Sequence, residues 1–178
     1  MRIISGIHKG KIIRAPHNLP ARPTTDFAKT GLFNMLAHRI DFKKCNVLDL
    51  FAGTGNISFE FISRGAYSVI AVDNNTSCIK FIKSFFEGLK AAQATAIKTD
   101  ADEFIRKNEK QFDIIFADPP FETDDYTALI EAVIKKKILT NHGIFILEHQ
   151  SKNHFIDHQN FIEERKFGNV AFSFFKQE

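Results

Sequence analysis

The chain has no tryptophan and only two cysteines among its 178 residues. Cys45 and Cys78 stand in separate apolar segments without the spacing of a redox or zinc motif. A disulfide framework is therefore not expected, and a reducing compartment is. No apolar run approaches the roughly 18 residues that a membrane-spanning helix needs. The opening MRIISGIHKGK also lacks the apolar centre of a secretory signal. A cytosolic protein that makes no use of a membrane is the expectation. Repeats, low-complexity tracts and linkers are missing too. That leaves one domain over residues 1–178, with 44% hydrophobic residues to fill a full-sized core. Twenty phenylalanines supply much of the filling, and most fall on apolar faces.

Acidic residues are scarce at one end. Residues 1–40 hold seven Lys/Arg and a single acid, Asp26, for a net +6; residues 41–178 hold 17 basic and 20 acidic residues, for a net −3. A basic arm on a mildly acidic body points to a polyanionic partner. Within the arm, RIISGIHKGKIIRA reads as a β-hairpin with a basic, glycine-containing centre. An irregular stretch, PHNLPARP, follows it. TTDFAKTGLFNML then looks like a helix start, with Thr25 or Asp26 as N-cap and Leu32, Phe33, Leu36 and Ile40 on one face.

From residue 46 the pattern alternates. Strands are expected near NVLDLF, YSVIAVD, TAIK, FDIIFAD and GIFILEH, with helices between them, the clearest over 76–90. Such alternation predicts an α/β fold with right-handed crossovers and a mainly parallel sheet. The end differs, because two β-like runs flank Phe167-Gly168-Asn169. A terminal antiparallel hairpin makes this a mixed sheet of about seven strands.

The chemistry concentrates where strands end. VLDLFAGTGNISFEF is a strand, a glycine loop and a helix, but Ser58 stands where a dinucleotide fingerprint has its third glycine. Asp49 inside the strand would repel a pyrophosphate and suits a ligand with a cationic amino group, as in S-adenosylmethionine. Asp73 closes the second strand and can accept ribose hydroxyls. Asp100 follows the third and can accept from an adenine amino group. Each acid alone reads more easily as a cap or solvated loop residue. Three at successive strand ends share one crevice. The fourth strand ends in FADPPF, where two prolines force a stiff turn that a ladder cannot continue.

The order D-x-F-x-G-x-G, acid, D-A and D-P-P-F resembles the Rossmann-like class I methyltransferases that modify exocyclic amino groups of nucleic-acid bases. MRIISGIHKGKII with RPTTDFAKTGLFNML further resembles the bacterial 16S ribosomal RNA guanine-N2 methyltransferase family (RsmD-like), over essentially the whole chain. The resemblance implies a basic hairpin-and-helix extension over 1–40 and a Rossmann-like catalytic core over 41–178. It implies S-adenosyl-L-methionine bound by Asp49, Phe51, Ala52, Gly53, Gly55, Asp73, Asn74, Asp100 and Ala101. Asp118, Pro119, Pro120 and Phe121 would hold the target amine and stack on an extruded base. Lys9, Lys11, Arg14, Arg22, Thr24, Lys29 and Tyr126 would meet the RNA, within an assembled or assembling small-subunit particle, and the protein would act as a monomer.

Several residues carry competing readings. Arg22 bridges cofactor and base or caps Asp26, Phe121 stacks on the base or closes the turn, and Tyr126 borders the base or packs in the core. The family's usual glutamate is Thr30 here, and Glu148 matches an acidic position without a derivable role. No metal is expected, since His149, His154 and His158 lack a Cys or acid at ligand spacing. Lys135, Lys136 and Lys137 suit a helix C-terminus. The alternatives to guanine-N2 transfer are adenine-N6 transfer on DNA or RNA, and a non-catalytic RNA-binding assembly factor. A NAD-dependent oxidoreductase is disfavoured by Ser58.

Overall fold

A computed structural model describes residues 1–16, 19, 24–120 and 125–177. Its centre is a seven-stranded sheet made of β1 (Asn46–Leu50), β2 (Ser68–Asp73), β3 (Ala94–Lys98), β4 (Phe112–Ala117), β5 (Leu139–Gln150), β6 (Phe161–Phe167) and β7 (Val170–Lys176). The spatial order is β3-β2-β1-β4-β5-β7-β6. Strands β1 to β5 pair in parallel, while β7 lies antiparallel to both β5 and β6. The expected mixed sheet and terminal hairpin are both present, with Gly168 at φ +68° in the hairpin turn.

Among the described residues, five α-helices cover the two faces: α1 (Asp26–Ala37), α2 (Asn56–Ser63), α3 (Thr76–Gly88), α4 (Ala101–Lys107) and α5 (Tyr126–Lys136). Leu32 and Phe33 of α1, Phe59 and Phe61 of α2 and Ile82 and Phe86 of α3 pack on the face that carries Val47, Ile114 and Ile146. Ile105 of α4 and Ile130 and Val133 of α5 pack on the opposite face, against Leu48, Ile115 and Leu147. This is the period-2 alternation of buried strands between two helical layers. Thr25 is the N-cap of α1, its hydroxyl accepting the Ala28 N–H at 3.2 Å. Leu32, Phe33 and Leu36 are fully buried, as their spacing predicts.

The sheet order reverses between β1 and β4, and the carboxyl ends of these strands open a crevice there. The basic arm is less regular than expected. Its antiparallel pairing is a single bridge, Arg2 to Ile12, with Ile3 N–H donating to Lys11 O at 2.9 Å and Ile13 N–H to Met1 O at 3.0 Å. The reason is that the arm spends several of its backbone groups on α2. Ile4 and Ser5 N–H donate to Glu60, and Ile7 N–H donates to Ser63 O. The arm is a strap along that helix.

Candidate active site

A cleft of about 390 Å³ lies over the β1–β4 switch point, within the size range of small-ligand sites. Asp49, Phe51, Ala52, Gly53, Asp73, Asn74, Asp100, Ala101, Asp118, Pro119, Pro120 and Thr24 all line it. Residues from the ends of β1, β2 and β3 and from the proline corner after β4 thus meet in one concavity. Gly55 sits just behind, as the left-handed N-cap of α2 at φ +74°. A Cβ there would come within 2.6 Å of the Phe59 ring, so glycine is required for loop and helix to pack.

Each acid of the crevice is held differently. Asp73 accepts Gly53 N–H at 2.8 Å on one oxygen and Asn75 N–H at 2.8 Å on the other, which ties the glycine loop to the end of β2. Asp100 is exposed and accepts from the Asn74 amide at 2.9 Å. Asp49 is 1% exposed, and one oxygen accepts both the Ser58 N–H at 3.1 Å and the Ser58 hydroxyl at 2.5 Å. Burial raises its pKa to about 7, against the lowering effect of those two bonds. Ser58 is therefore the tether of Asp49. The sequence offered only its mismatch to a glycine fingerprint. Phe51 has φ +60°, a conformation bulky residues rarely adopt, and it too faces the cleft.

Asp118 follows β4, with buried Pro119 and exposed Pro120 after it. The corner faces the same crevice as Gly53. Leu50 pairs with Ala117, and Ala117 with Leu147, so Asp118 and Glu148 lie side by side one position further along neighbouring strands. Alternation turns Asp49, Asp118 and Glu148 to the same sheet face. Burial, then Glu148 and Asp49, push the Asp118 carboxyl well above the usual range. Glu148 is 3% exposed and accepts the Thr24 hydroxyl at 2.6 Å. The Thr24 carbonyl in turn accepts from Asn56 at 3.0 Å. Asn56 gave no signal in the sequence, and Glu148 only an acidic match without a role, because their partners lie far away along the chain.

Lys29 requires a correction. It was expected on the RNA but is fully buried on α1, where its ammonium donates to Arg2 O and Asn56 Oδ1, both at 2.7 Å, with Glu60 at 3.7 Å. Desolvation lowers its pKa. Its signal was present: Lys29, Leu32, Phe33 and Leu36 follow the i, i+3, i+4, i+7 rule of a buried face.

Lys9, Lys11 and Arg14 are exposed along the arm. Tyr126 begins α5, 9% exposed, and its hydroxyl has no hydrogen-bond partner among the described residues. Burial and then Asp118 raise its pKa. Phe121 and Arg22 lie outside the described residues. His149 bonds Ser173 Oγ and Gln150 O, while His158 faces Glu131. Among the described residues no three His, Cys, Asp or Glu side chains are grouped to hold a metal ion. Nor is any described helix long and apolar enough to cross a membrane.

The model of the family described as Conserved hypothetical protein 95 matches residues 1–176. The Bacillus subtilis protein YlbH is 35% identical over 153 residues, covering 84% of this chain and 82% of that protein. Ribosomal RNA small subunit methyltransferase D of Buchnera aphidicola is 31% identical over 151 residues, covering 85% of this chain and 76% of the relative. Among solved structures, Escherichia coli yhhF superposes with a TM-score of 0.85 at 26% identity, covering 100% of this chain and 98% of that one. The chain belongs to the Conserved hypothetical protein 95 family, alongside the ribosomal RNA small subunit methyltransferase D proteins.

Proposed function

We propose that this chain is an S-adenosylmethionine-dependent methyltransferase that methylates the exocyclic N2 amino group of one guanine in small-subunit ribosomal RNA. The observation that carries this reading is that the Asp118-Pro119-Pro120 corner lines one cleft with Asp49, Gly53, Asp73 and Asp100. A donor site and an amine-holding corner must share one space for methyl transfer.

Asp49, tethered by Ser58, offers its free oxygen to the ammonium of the methionine moiety. Asp73 uses one acceptor site per oxygen on the loop and keeps the others for ribose hydroxyls. Asp100 and Asn74 meet the adenine edge, and Phe51 and Ala101 supply the apolar walls. The bound cofactor supplies an electrophilic methyl on sulfur. The chain supplies position and charge.

The exocyclic nitrogen of guanine is a weak nucleophile, because its lone pair is delocalised into the ring. Asp118 accepts one of its N–H groups and favours pyramidalisation, which aims the lone pair at the methyl group. Phe121 would stack on the base once it is swung out. Lys9, Lys11 and Arg14 bind flanking phosphates without reading sequence. Helix α2 is eight residues long, so the strap running along it extends contacts about 12 Å from the cleft. The chain acts as a monomer on a small-subunit particle in this reading.

The test uses small ribosomal subunits from a strain lacking the chain, labelled S-adenosylmethionine and digestion to nucleosides. N2-methylguanosine is the expected product. N6-methyladenosine would select an adenine enzyme, and bound cofactor without transfer would select an assembly factor.

A further inference from the structure

Glu148 has no task in the reaction as described, yet it stands beside Asp118, one position past the last β4–β5 pair of Ala117 and Leu147. Thr24 donates to one of its oxygens at 2.6 Å, and among the described residues nothing donates to its other oxygen or to Asp118. Other titratable groups stand around this pair. Asp49 faces it from β1, with Asp73 of β2 beyond, and Tyr126 approaches Asp118 from α5. The His149 ring is engaged with Ser173 instead, and Lys29 is committed to Arg2, Asn56 and Glu60. No Lys or Arg lines the cleft among the described residues. With Glu148 buried, Asp118 half-buried beside it and no cation in the cleft among the described residues, the two carboxyls resist ionising together and retain a proton between them. The rise of Glu148 to about 7, caused first by burial, agrees with that arrangement.

We propose that Glu148 is a positioning residue for the transfer: as the neutral member of a pair sharing one proton with Asp118, it donates a hydrogen bond to the Asp118 carboxylate and aims it at the target amine. The inference rests on the methyl-transfer reading above. Thr24 fixes one oxygen of Glu148 and leaves the other for Asp118. During transfer the nitrogen–methyl bond forms as the sulfonium–methyl bond breaks, and sulfur leaves as a neutral thioether. The extra proton on nitrogen passes to the free oxygen of Asp118, and one proton leaves the pair for water per methyl moved.

Glu148→Gln keeps an acceptor for Thr24 and a permanent donor for Asp118, whereas Glu148→Ala keeps neither. Infrared spectra of the full-length protein with 13C-labelled glutamate should show a protonated glutamate carboxyl at pH 6.5, and Glu148→Gln should remove it. On small subunits, Glu148→Ala should slow single-turnover methylation by at least about tenfold, and Glu148→Gln should recover most of that loss. The wild-type rate should change as the pair loses its last proton, and the Gln variant should lose that step. A missing band, a band that survives in the Gln variant, or a Gln variant as slow as Ala overturns the proposal. The infrared measurement needs no RNA. A product other than N2-methylguanosine would therefore overturn the functional reading and leave the shared proton to be judged by its own band.

Discussion

Asp118 is the residue on which most of the proposed chemistry turns, because it combines a fixed backbone with a half-buried place in the cleft. The prolines that follow fix its backbone, and it lines the cleft beside Glu148. Asp118→Ala should leave S-adenosylmethionine affinity within about threefold and reduce turnover by roughly 100-fold or more, as judged by calorimetry and rapid-quench methylation. Unchanged turnover would remove Asp118 from the reaction. The neighbouring acids also carry a pH signature. Asp49 and Glu148 are each raised to about 7 in the folded protein, while unfolded carboxyls titrate near 4. Between those values the folded form holds protons that the unfolded form releases. Stability therefore falls as pH rises from about 4 to about 7 and levels off above. Glu148→Gln removes one such group. In ligand-free protein its melting temperature should gain on the wild type by about 2–6 °C between pH 5 and pH 8. A constant gap across that range would show that Glu148 ionises normally.

Among the elements, α2 is the spine of the site. Its N-terminus is the glycine loop, all eight of its residues are buried, and Glu60 in its middle accepts from Ile4 N–H, Ser5 N–H and Arg64. Lys29 sits beside that carboxylate without solvent, so removing either charge would strand the other. The sequence announced the strands and turns well, because short apolar runs, paired prolines and Phe167-Gly168-Asn169 are local signals. The pairings that fix the site are not local. Thr24 to Glu148 spans 124 positions and Ile4 to Glu60 spans 56, and neither leaves a trace in periodicity. The arm's hairpin was legible as two apolar runs, but its preference for α2 over its own ladder depends on packing. Gly6 is where that packing is tightest. It has φ +84°, and a Cβ would fall 1.8 Å from Ser63 O. Gly6→Ala should lift the strap, cost about 1–3 kcal/mol of stability and weaken subunit binding. S-adenosylmethionine affinity should stay within about threefold, measured by calorimetry on the same sample. A parallel loss of cofactor affinity would mean that the strap supports the glycine loop as well as the RNA contact.

At the scale of the whole molecule, topology and charge divide the work. The sheet reversal between β1 and β4 makes one crevice for both reactants, and the acids that line it suit a cationic donor rather than a phosphate. The polyanion must then be held elsewhere, and the net +6 of residues 1–40 against −3 for the rest supplies that second site. With Lys29 buried, Arg2 paired to Asp26 and Arg39 paired to Glu163, the exposed cations left on the described arm are Lys9, Lys11 and Arg14. Each phosphate contact releases counterions, contributing about 0.7–0.9 to the slope of log affinity against log salt. Replacing all three by glutamine should therefore flatten that slope by about 2–3 for small subunits. S-adenosylmethionine affinity should not change, because none of the three lines the cleft. Binding measured between 50 and 200 mM salt on the order used for such slopes provides the readout. A slope that does not move would relocate the RNA interface away from the strap, and the charge asymmetry would then need a different partner.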